Sequence, residues 1–294
     1  MPTQMTDSSA WSLIRAVPTA DPGPQLSRIA HHSATEPISL EIDASGEWSA
    51  SAPLSEAATA LIDLYLPLQL DADLVIGQIG QSLDGRIATE IGHSHYITGP
   101  ADILRLHRLR ALVDAVVVGA GTVAADDPRL TVREVEGTNP VRVVLDPDAR
   151  LSPQHAVFND GAARTLVVRR ASAGGSIPDH DSDADVISLP VASLDPPAAP
   201  SERHPPGFAP VLVVEALRAR GLRRLLIEGG GITVSRFLQA GALTRLHVAV
   251  APLLIGSGRP ALTLPPIDSL DQALRPPCRT FHLGEDVLFD FDLR

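Results

Sequence analysis

The sequence predicts an α/β fold with a mixed, mainly parallel sheet, and three observations carry that prediction. From about residue 71 onward, strand-like and helix-like segments alternate, a pattern that layers helices on a mainly parallel sheet. Pro100 and Pro210 stand where first helical positions are expected, and Gly221 and Gly241 stand where helices end. The stretch "TFHLGEDVLFDFDLR" reads as an antiparallel hairpin along one edge of the sheet.

The residue balance narrows the possible functions. With 294 residues the chain has room for one large domain or two modest ones. Apolar residues make up 44%, but only six Phe, two Trp and two Tyr are present, so Val, Leu, Ile and Ala must build the core. A net charge of −11 opposes nonspecific binding to nucleic acid or an anionic membrane. An anionic ligand must therefore be met by local arginines or by backbone N–H groups. Cys278 is the only cysteine, which excludes an internal disulfide and a Cys-rich zinc site. "MPTQMTDSSAW" has no basic segment followed by an apolar one, and no apolar run is long enough to span a bilayer. A cytoplasmic protein without nucleic-acid or membrane partners is expected.

Residues 1 to about 36 are rich in Pro, Ser, Thr and Ala without sustained periodicity, which predicts partial disorder. "ISLEI" alternates like a strand, and "SEAATALIDLYL" reads as a helix capped by Ser55 and stopped by Pro67. Leu54, Ala58, Leu61, Ile62 and Tyr65 fall on one face of it. Residues 1–70 are thus an extension of unassigned role, and residues 71–294 form the main domain. In that domain strands are expected near 73–81, 86–91, 114–119, 141–146, 164–169, 184–189, 223–228 and 244–251, with a hairpin over 280–292. Helices fit near 100–112, 210–220 and 231–240. Residues 171–209 are rich in Pro, Ala, Asp and Ser and read as a surface excursion.

Several motifs point to chemistry. "LLIEGGGITVSRFLQAG" is a strand entering a helix through three glycines, a mouth suited to phosphate or a tight packed turn. Glu228 stands at the same doorway, where its charge should repel the anion. Gly119, Gly121 and Ala124 in "VVVGAGTVAADDP" match a dinucleotide fingerprint, and Asp146 closes the next strand where a ribose-binding acid would sit. The intervening residues leave no room for a helix of ordinary length, which argues against a true Rossmann unit. On the helix "ADILRLHRLRALV", Ile103, Leu106 and Val113 form an apolar stripe that contains Arg110, while Arg105 and Arg108 point outward. Arg110 is therefore either a paired core arginine or an anion clamp with Arg133. Asp84-Gly85 reads as a plain hairpin turn or as a loop over a site near Gly80. His93 and His95 lack a third ligand, so no metal site is expected.

Together "QSLDGRIAT", "HYIT", "LRALVDAVVVGAGTVAADDPRLTVR", "PVRVVLD", "LLIEGGG" and "APLLIGSG" resemble, in order and spacing, the reductase domain of the bifunctional riboflavin-biosynthesis deaminase–reductase family. The resemblance covers roughly residues 72–294. It implies a three-layer, dihydrofolate-reductase-like fold with helices on both faces of the sheet. It implies NADPH-dependent reduction of a phosphoribosylamino-pyrimidine, of the 5-amino-6-(5-phosphoribosylamino)uracil type, by a homodimer. Position by position, it puts Ser94, Arg110, Leu130, Arg133 and Glu228 at the phosphorylated substrate. It puts Gly80, Tyr96, Thr122, Asp126, Pro147 and the stretch Gly230, Gly231, Ile232, Thr233, Val234, Ser235 and Arg236 at the cofactor. Glu228 and Gln78 take the catalytic positions, with Glu228 turned toward the substrate and away from the cofactor pyrophosphate.

The sequence also departs from that family. Gln78 stands where bacterial bifunctional enzymes commonly have Lys, and Tyr96 where Trp is common. No H-x-E with P-C-x-x-C occurs, so a deaminase zinc site is not expected. A reductase of the same fold acting on another small heterocycle or carbonyl, and a noncatalytic nucleotide-binding protein, remain alternatives at this point.

Overall fold

A computed structural model describes residues 5–19, 27–32, 37–43, 45–94, 97–171, 185–192 and 207–294. His95, Tyr96 and most of the Pro-rich excursion lie outside these residues. The chain forms two compact units, Met1–Leu74 and Val75–Arg294.

The first unit has a helix that the sequence reading missed. Helix α1 (Asp7–Ala16) is capped by Thr6, whose Oγ1 accepts from the Ser9 N–H, and it buries Ala10, Trp11, Leu13 and Ile14. Its apolar positions fit one helical face, but ten residues were too few to stand out within a Pro- and Ser-rich stretch. Strands β1 (Ser27–His32), β2 (Pro37–Ile42) and β3 (Trp48–Ala50) form an antiparallel sheet. Helix α2 (Glu56–Leu70) starts at Ser55, whose Oγ accepts from the Ala58 N–H, as expected. It does not stop at Pro67. Proline removes one helical N–H, but Leu64, Leu66 and Leu68 around it are buried, and their burial outweighs one lost bond. Trp11 meets Tyr65 of α2 edge-on, at 5.6 Å between ring centres.

Among the described residues the main sheet of the second unit has nine strands: β4 (Val75–Ser82), β6 (Ala115–Gly119), β7 (Val141–Leu145), β8 (Thr165–Arg170), β9 (Asp185–Leu189), β12 (Leu225–Glu228), β13 (Arg245–Ala251), β15 (Cys278–Leu283) and β16 (Asp286–Asp292). Across the sheet they run in the order β15-β16-β13-β4-β12-β6-β7-β8-β9. All neighbours from β13 to β9 are parallel, and the β15–β16 hairpin adds the antiparallel edge on β13. The helices are α3 (Pro100–Leu112), α4 (Ala120–Asp126), α5 (Ala156–Asn159), α6 (Pro210–Arg218) and α7 (Gly231–Gln239). Strand alternation sorts them. Ile79, Val117, Val143 and Ile227 join a core with Val213 and Leu217 of α6 and Val234 and Phe237 of α7. Gln78, next to Ile79, faces the other side and meets Arg105 of α3. Helices thus cover both faces, as the α/β reading predicted.

Two local expectations fail. The face of α3 turned inward is the polar one: Asp102, Arg105 and His107 are buried with Leu109 and Leu112, while Ile103 is 40% exposed. Arg105 was expected to point outward, yet it is 1% exposed. Its charge is tolerable there because Asp102 Oδ1 accepts from Nε at 2.6 Å, and Gln78 and His247 take the other nitrogens. Asp84-Gly85 is a turn, with φ 75° at Gly85, but it does not make a plain hairpin. The following strand β5 (Arg86–Thr89) pairs instead with β14 (Gly258–Pro260). Asp84 fixes this arrangement by accepting from the Ile255 and Gly256 N–H groups, and its hydrogen bond from Ser82, with theirs, lowers its pKa to about 2.

Candidate active site

A cleft of about 790 Å³ runs along β4 and across the carboxyl ends of β12, β6 and β7. Such crevices at strand ends are where open α/β sheets bind ligands. Of the residues singled out from sequence, Gln78, Gly80, Ser94, Thr122, Asp126, Leu130, Pro147 and Glu228 line it. Gly230, Gly231, Ile232, Thr233 and Arg236 line it too. Val234 and Ser235 do not: Val234 is wholly buried in the core, and Ser235 is 3% exposed with its Oγ accepting from the Thr263 N–H. They follow the helix period inward, so a continuous run along the chain cannot stay on one side. Tyr96 is outside the described residues.

The glycines divide into two kinds. A Cβ on Gly231 would stand 2.2 Å from the Ala261 carbonyl oxygen, and one on Gly119 would stand 2.8 Å from Thr233 Oγ1. These two are small because protein packs against them. Gly229 has φ 150°, a backbone that favours glycine. Gly121 differs, since a Cβ there would meet no atom within 4 Å. Its missing side chain leaves open cleft, into which a ligand can press against the backbone. Thr122 ties the two loops together, its Oγ1 accepting from the Gly230 N–H at 2.9 Å. Ser94 Oγ donates to Asp126 Oδ1 at 3.1 Å, so a predicted substrate residue touches a predicted cofactor residue.

Glu228 closes β12 and is held by Arg110. Arg110 Nε donates to Glu228 Oε2 at 3.0 Å, and Nη2 donates to Oε1, a bidentate pair. The third contact, from Arg110 Nη1 to the Thr131 carbonyl, is 3.2 Å. Arg110 is thus a paired arginine, but its partner belongs to the cleft rather than to the core. The carboxylate at the glycine doorway faces a guanidinium, which removes much of its repulsion for an anion.

Arg133 lies nearby without lining the cleft. Its N–H donates to His107 Nδ1 at 3.1 Å, and its Nη1 donates to Thr131 Oγ1 at 2.7 Å. Partial burial, then Arg110 and Arg129, push the Arg133 guanidinium below its ordinary pKa, so positive charge is concentrated here. Burial and the same Arg110 and Arg133 charges lower the His107 pKa, which keeps Nδ1 free to accept. Leu130, a cleft residue next to Arg129 in the chain, has φ 55° and is 1% exposed. A leucine held in the left-handed region marks a loop fixed by its surroundings.

Residue patterns matching this architecture recur in known proteins. The RibD C-terminal domain profile matches residues 73–288. The chain belongs to that family. Over 227 residues, 75% of this chain and 98% of the relative, it is 36% identical to the 2,5-diamino-6-ribosylamino-4(3H)-pyrimidinone 5′-phosphate reductase of Methanothermobacter thermautotrophicus. It is 34% identical over 199 residues to the riboflavin biosynthesis protein RibD of Mycobacterium tuberculosis, covering 66% of this chain and only 46% of that protein. The solved diaminohydroxyphosphoribosylaminopyrimidine deaminase/5-amino-6-(5-phosphoribosylamino)uracil reductase of Thermotoga maritima shares the fold, with a TM-score of 0.58 at 23% identity. That match covers 82% of this chain and 64% of the other.

Within this RibD-type domain, sequence reasoning missed Asp102, Arg105, His107 and His247. Asp102 lines the cleft and orients Arg105, whose Nη2 donates to Gln78 Oε1 at 2.5 Å. The Gln78 amide is thereby turned so that its NH2 is free of Arg105. An Asp and an Arg three residues apart on a helix were a readable signal for this pair. Among the described residues, no helix is long and apolar enough to cross a membrane, and no group of three His, Cys, Asp or Glu could hold a metal.

Proposed function

We propose that this chain reduces a phosphoribosylamino-pyrimidine to its ribitylamino form, with NADPH as the reductant, in riboflavin biosynthesis. The observation that carries the reading is the Glu228–Arg110 pair at the end of β12, beside an open glycine cradle, in a RibD-type domain. When bound, the cofactor supplies hydride to C1′ of the opened sugar. The open space at Gly121 fits a dinucleotide lying against the backbone, and the Thr122–Gly230 contact keeps that wall in place. Ser94 and the arginine cluster of Arg110, Arg129 and Arg133 serve the substrate phosphate and sugar. Glu228 holds sugar hydroxyl or amino groups and stabilises positive charge as C1′ is reduced. Gln78 donates from its amide to an acceptor on the substrate.

In this reading the reaction belongs to residues 71–294, in a cytoplasmic protein. We further propose a homodimer. Its support is β15, among the described residues an edge strand with one unpaired side, close in sequence to Leu270 and Leu274, which are 73% and 66% exposed. Sedimentation at micromolar concentration distinguishes dimer from monomer.

The test of the activity is direct. The protein is incubated with NADPH and either the 2,5-diamino-pyrimidinone or the 5-amino-uracil ribosylamino phosphate, following loss of nicotinamide absorbance. A product two hydrogens heavier is expected with at least one of them. Unchanged absorbance with both substrates refutes the reading.

A further inference from the structure

On the sheet face that meets α3, polar side chains form a single row. Strand register pairs Arg279 of β15 with Asp290 of β16, and Asp290 with His247 of β13. His247 is in turn the partner of Gln78 on β4, and Gln78 of Glu228 on β12. Cross-strand partners stand on one face, so the row runs from the edge hairpin to the two residues at the cleft. Asp290, His247 and Gln78 are buried in it. For stability alone, well-packed aliphatic side chains often serve such a place as well as buried charges do. The row therefore invites a role beyond stability.

Donors and acceptors give the row a direction. A guanidinium can only donate, so the Gln78 atom 2.5 Å from Arg105 Nη2 is the amide oxygen. By the same rule His247 Nδ1, 3.1 Å from Arg105 Nη1, carries the free lone pair of a neutral ring. The ring proton then belongs on Nε2, which stands 3.2 Å from Asp290 Oδ1. Burial, the largest effect, pushes the His247 pKa down and keeps that lone pair available. Asp290 is fixed from both sides, by Arg245 Nη1 at 2.8 Å and Arg279 Nη2 at 2.7 Å.

Arg105 is thus anchored at two of its nitrogens, Nε by Asp102 at 2.6 Å and Nη1 by His247. The third, Nη2, is left aimed at Gln78. With its oxygen occupied, Gln78 keeps its NH2 for the cleft that it lines, and among the described residues that NH2 has no hydrogen-bond partner.

We infer that His247 is a positioning residue for the reduction: by accepting from Arg105 it locks the guanidinium that turns the Gln78 amide, so that NH2 rather than oxygen meets the substrate. The inference rests on the reading of the cleft as a reductase site in which Gln78 donates to the pyrimidine substrate. His247 is wholly buried and does not line the cleft, so its path to the reaction runs through Arg105. Without Nδ1, Arg105 loses one of its two anchors and the amide can turn over. An amide oxygen opposite a substrate acceptor repels it. Holding a substrate-facing group through buried partners is how a site keeps its geometry between turnovers.

Single-turnover reduction tests this, using whichever of the two ribosylamino phosphates the wild type reduces, at saturating NADPH. His247→Leu should slow the hydride step about tenfold, the range for one lost hydrogen bond, and leave the NADPH Kd within about twofold. Retained NADPH binding shows that the variant is folded. His247→Asn, whose amide oxygen takes the place of Nδ1, should bring the rate back to within about threefold of wild type. In a Gln78→Leu background, adding His247→Leu should slow the step less than twofold further, because the group it positions is gone. If His247→Leu does not fold, His247→Gln replaces it throughout, since its amide reaches the Nε2 place and leaves Nη1 without an acceptor. An Asn variant as slow as the Leu variant overturns the inference, as does a wild-type rate in His247→Leu. Losses that multiply fully in the double variant overturn it too, while the reductase reading stands. A wild type that reduces neither pyrimidine removes that reading and this inference with it.

Discussion

Replacing Glu228 by Gln isolates its charge, because the side chain keeps its shape and one oxygen for Arg110. In the wild type the two charges nearly cancel, with side chains only 7% and 12% exposed. The substitution leaves the Arg110 guanidinium uncompensated beside the cleft. At about 6 Å and an effective dielectric of about 20, a unit charge acting on a developing cation is worth roughly 3 kcal/mol. That corresponds to about a hundredfold loss in the hydride step, within the range for removal of a preorganised electrostatic group. NADPH affinity should hold or rise slightly, since the variant leaves the Arg110 charge free to attract an anion. Stability should fall as well, because a half-paired buried arginine is unfavourable. Single-turnover stopped-flow with saturating NADPH reads the chemical step, and a thermal melt reads the stability. A near-normal hydride rate with weakened substrate binding would make Glu228 a positioning residue. Normal chemistry with poor NADPH binding would leave it only a helix-entrance acid.

Arg133→Ala should lower kcat/KM for the phosphorylated substrate about ten- to a hundredfold while NADPH affinity stays unchanged, and an unaltered kcat/KM would remove Arg133 from the site. Gln78→Lys should lower Tm, because the new ammonium would stand where Arg105 Nη2 now meets the Gln78 oxygen at 2.5 Å. A like-charge contact at this buried place should destabilise by on the order of 3 kcal/mol, and an unchanged Tm would refute it. Burial, with an opposing effect from Asp290 and a smaller lowering from Arg105, pushes the His247 pKa from 6.5 to about 4. Because the folded value is depressed, the unfolded chain takes up the proton first, so the stability contribution is present above about pH 6.5 and is lost as pH falls toward 4. The loss should reach about 2 kcal/mol at pH 5 by urea unfolding, and His247→Gln should reduce that pH dependence; an identical slope in wild type and variant would contradict it.

The sequence alone determined the layered α/β order. Strands β6, β7, β8 and β12 announced themselves by short apolar runs, and Pro100 marked the start of α3. Such signals are local, so they survive without knowledge of partners. The glycine mouth and Glu228 were legible for the same reason. Tertiary structure alone decided which faces are buried and which charges meet. Arg105 looked solvated because its helical angle lies off the apolar stripe of Ile103, Leu106 and Val113, but β4 and β13 supply Gln78 and His247 to receive it. Arg110 finds its carboxylate 118 residues away, and Asp146 turns from a candidate ribose ligand into a buried anchor because β8 brings Arg169 beside it. A side chain's helical angle is fixed by its own segment. The free energy of burying its charge depends on residues that only the folded sheet brings within hydrogen-bond distance.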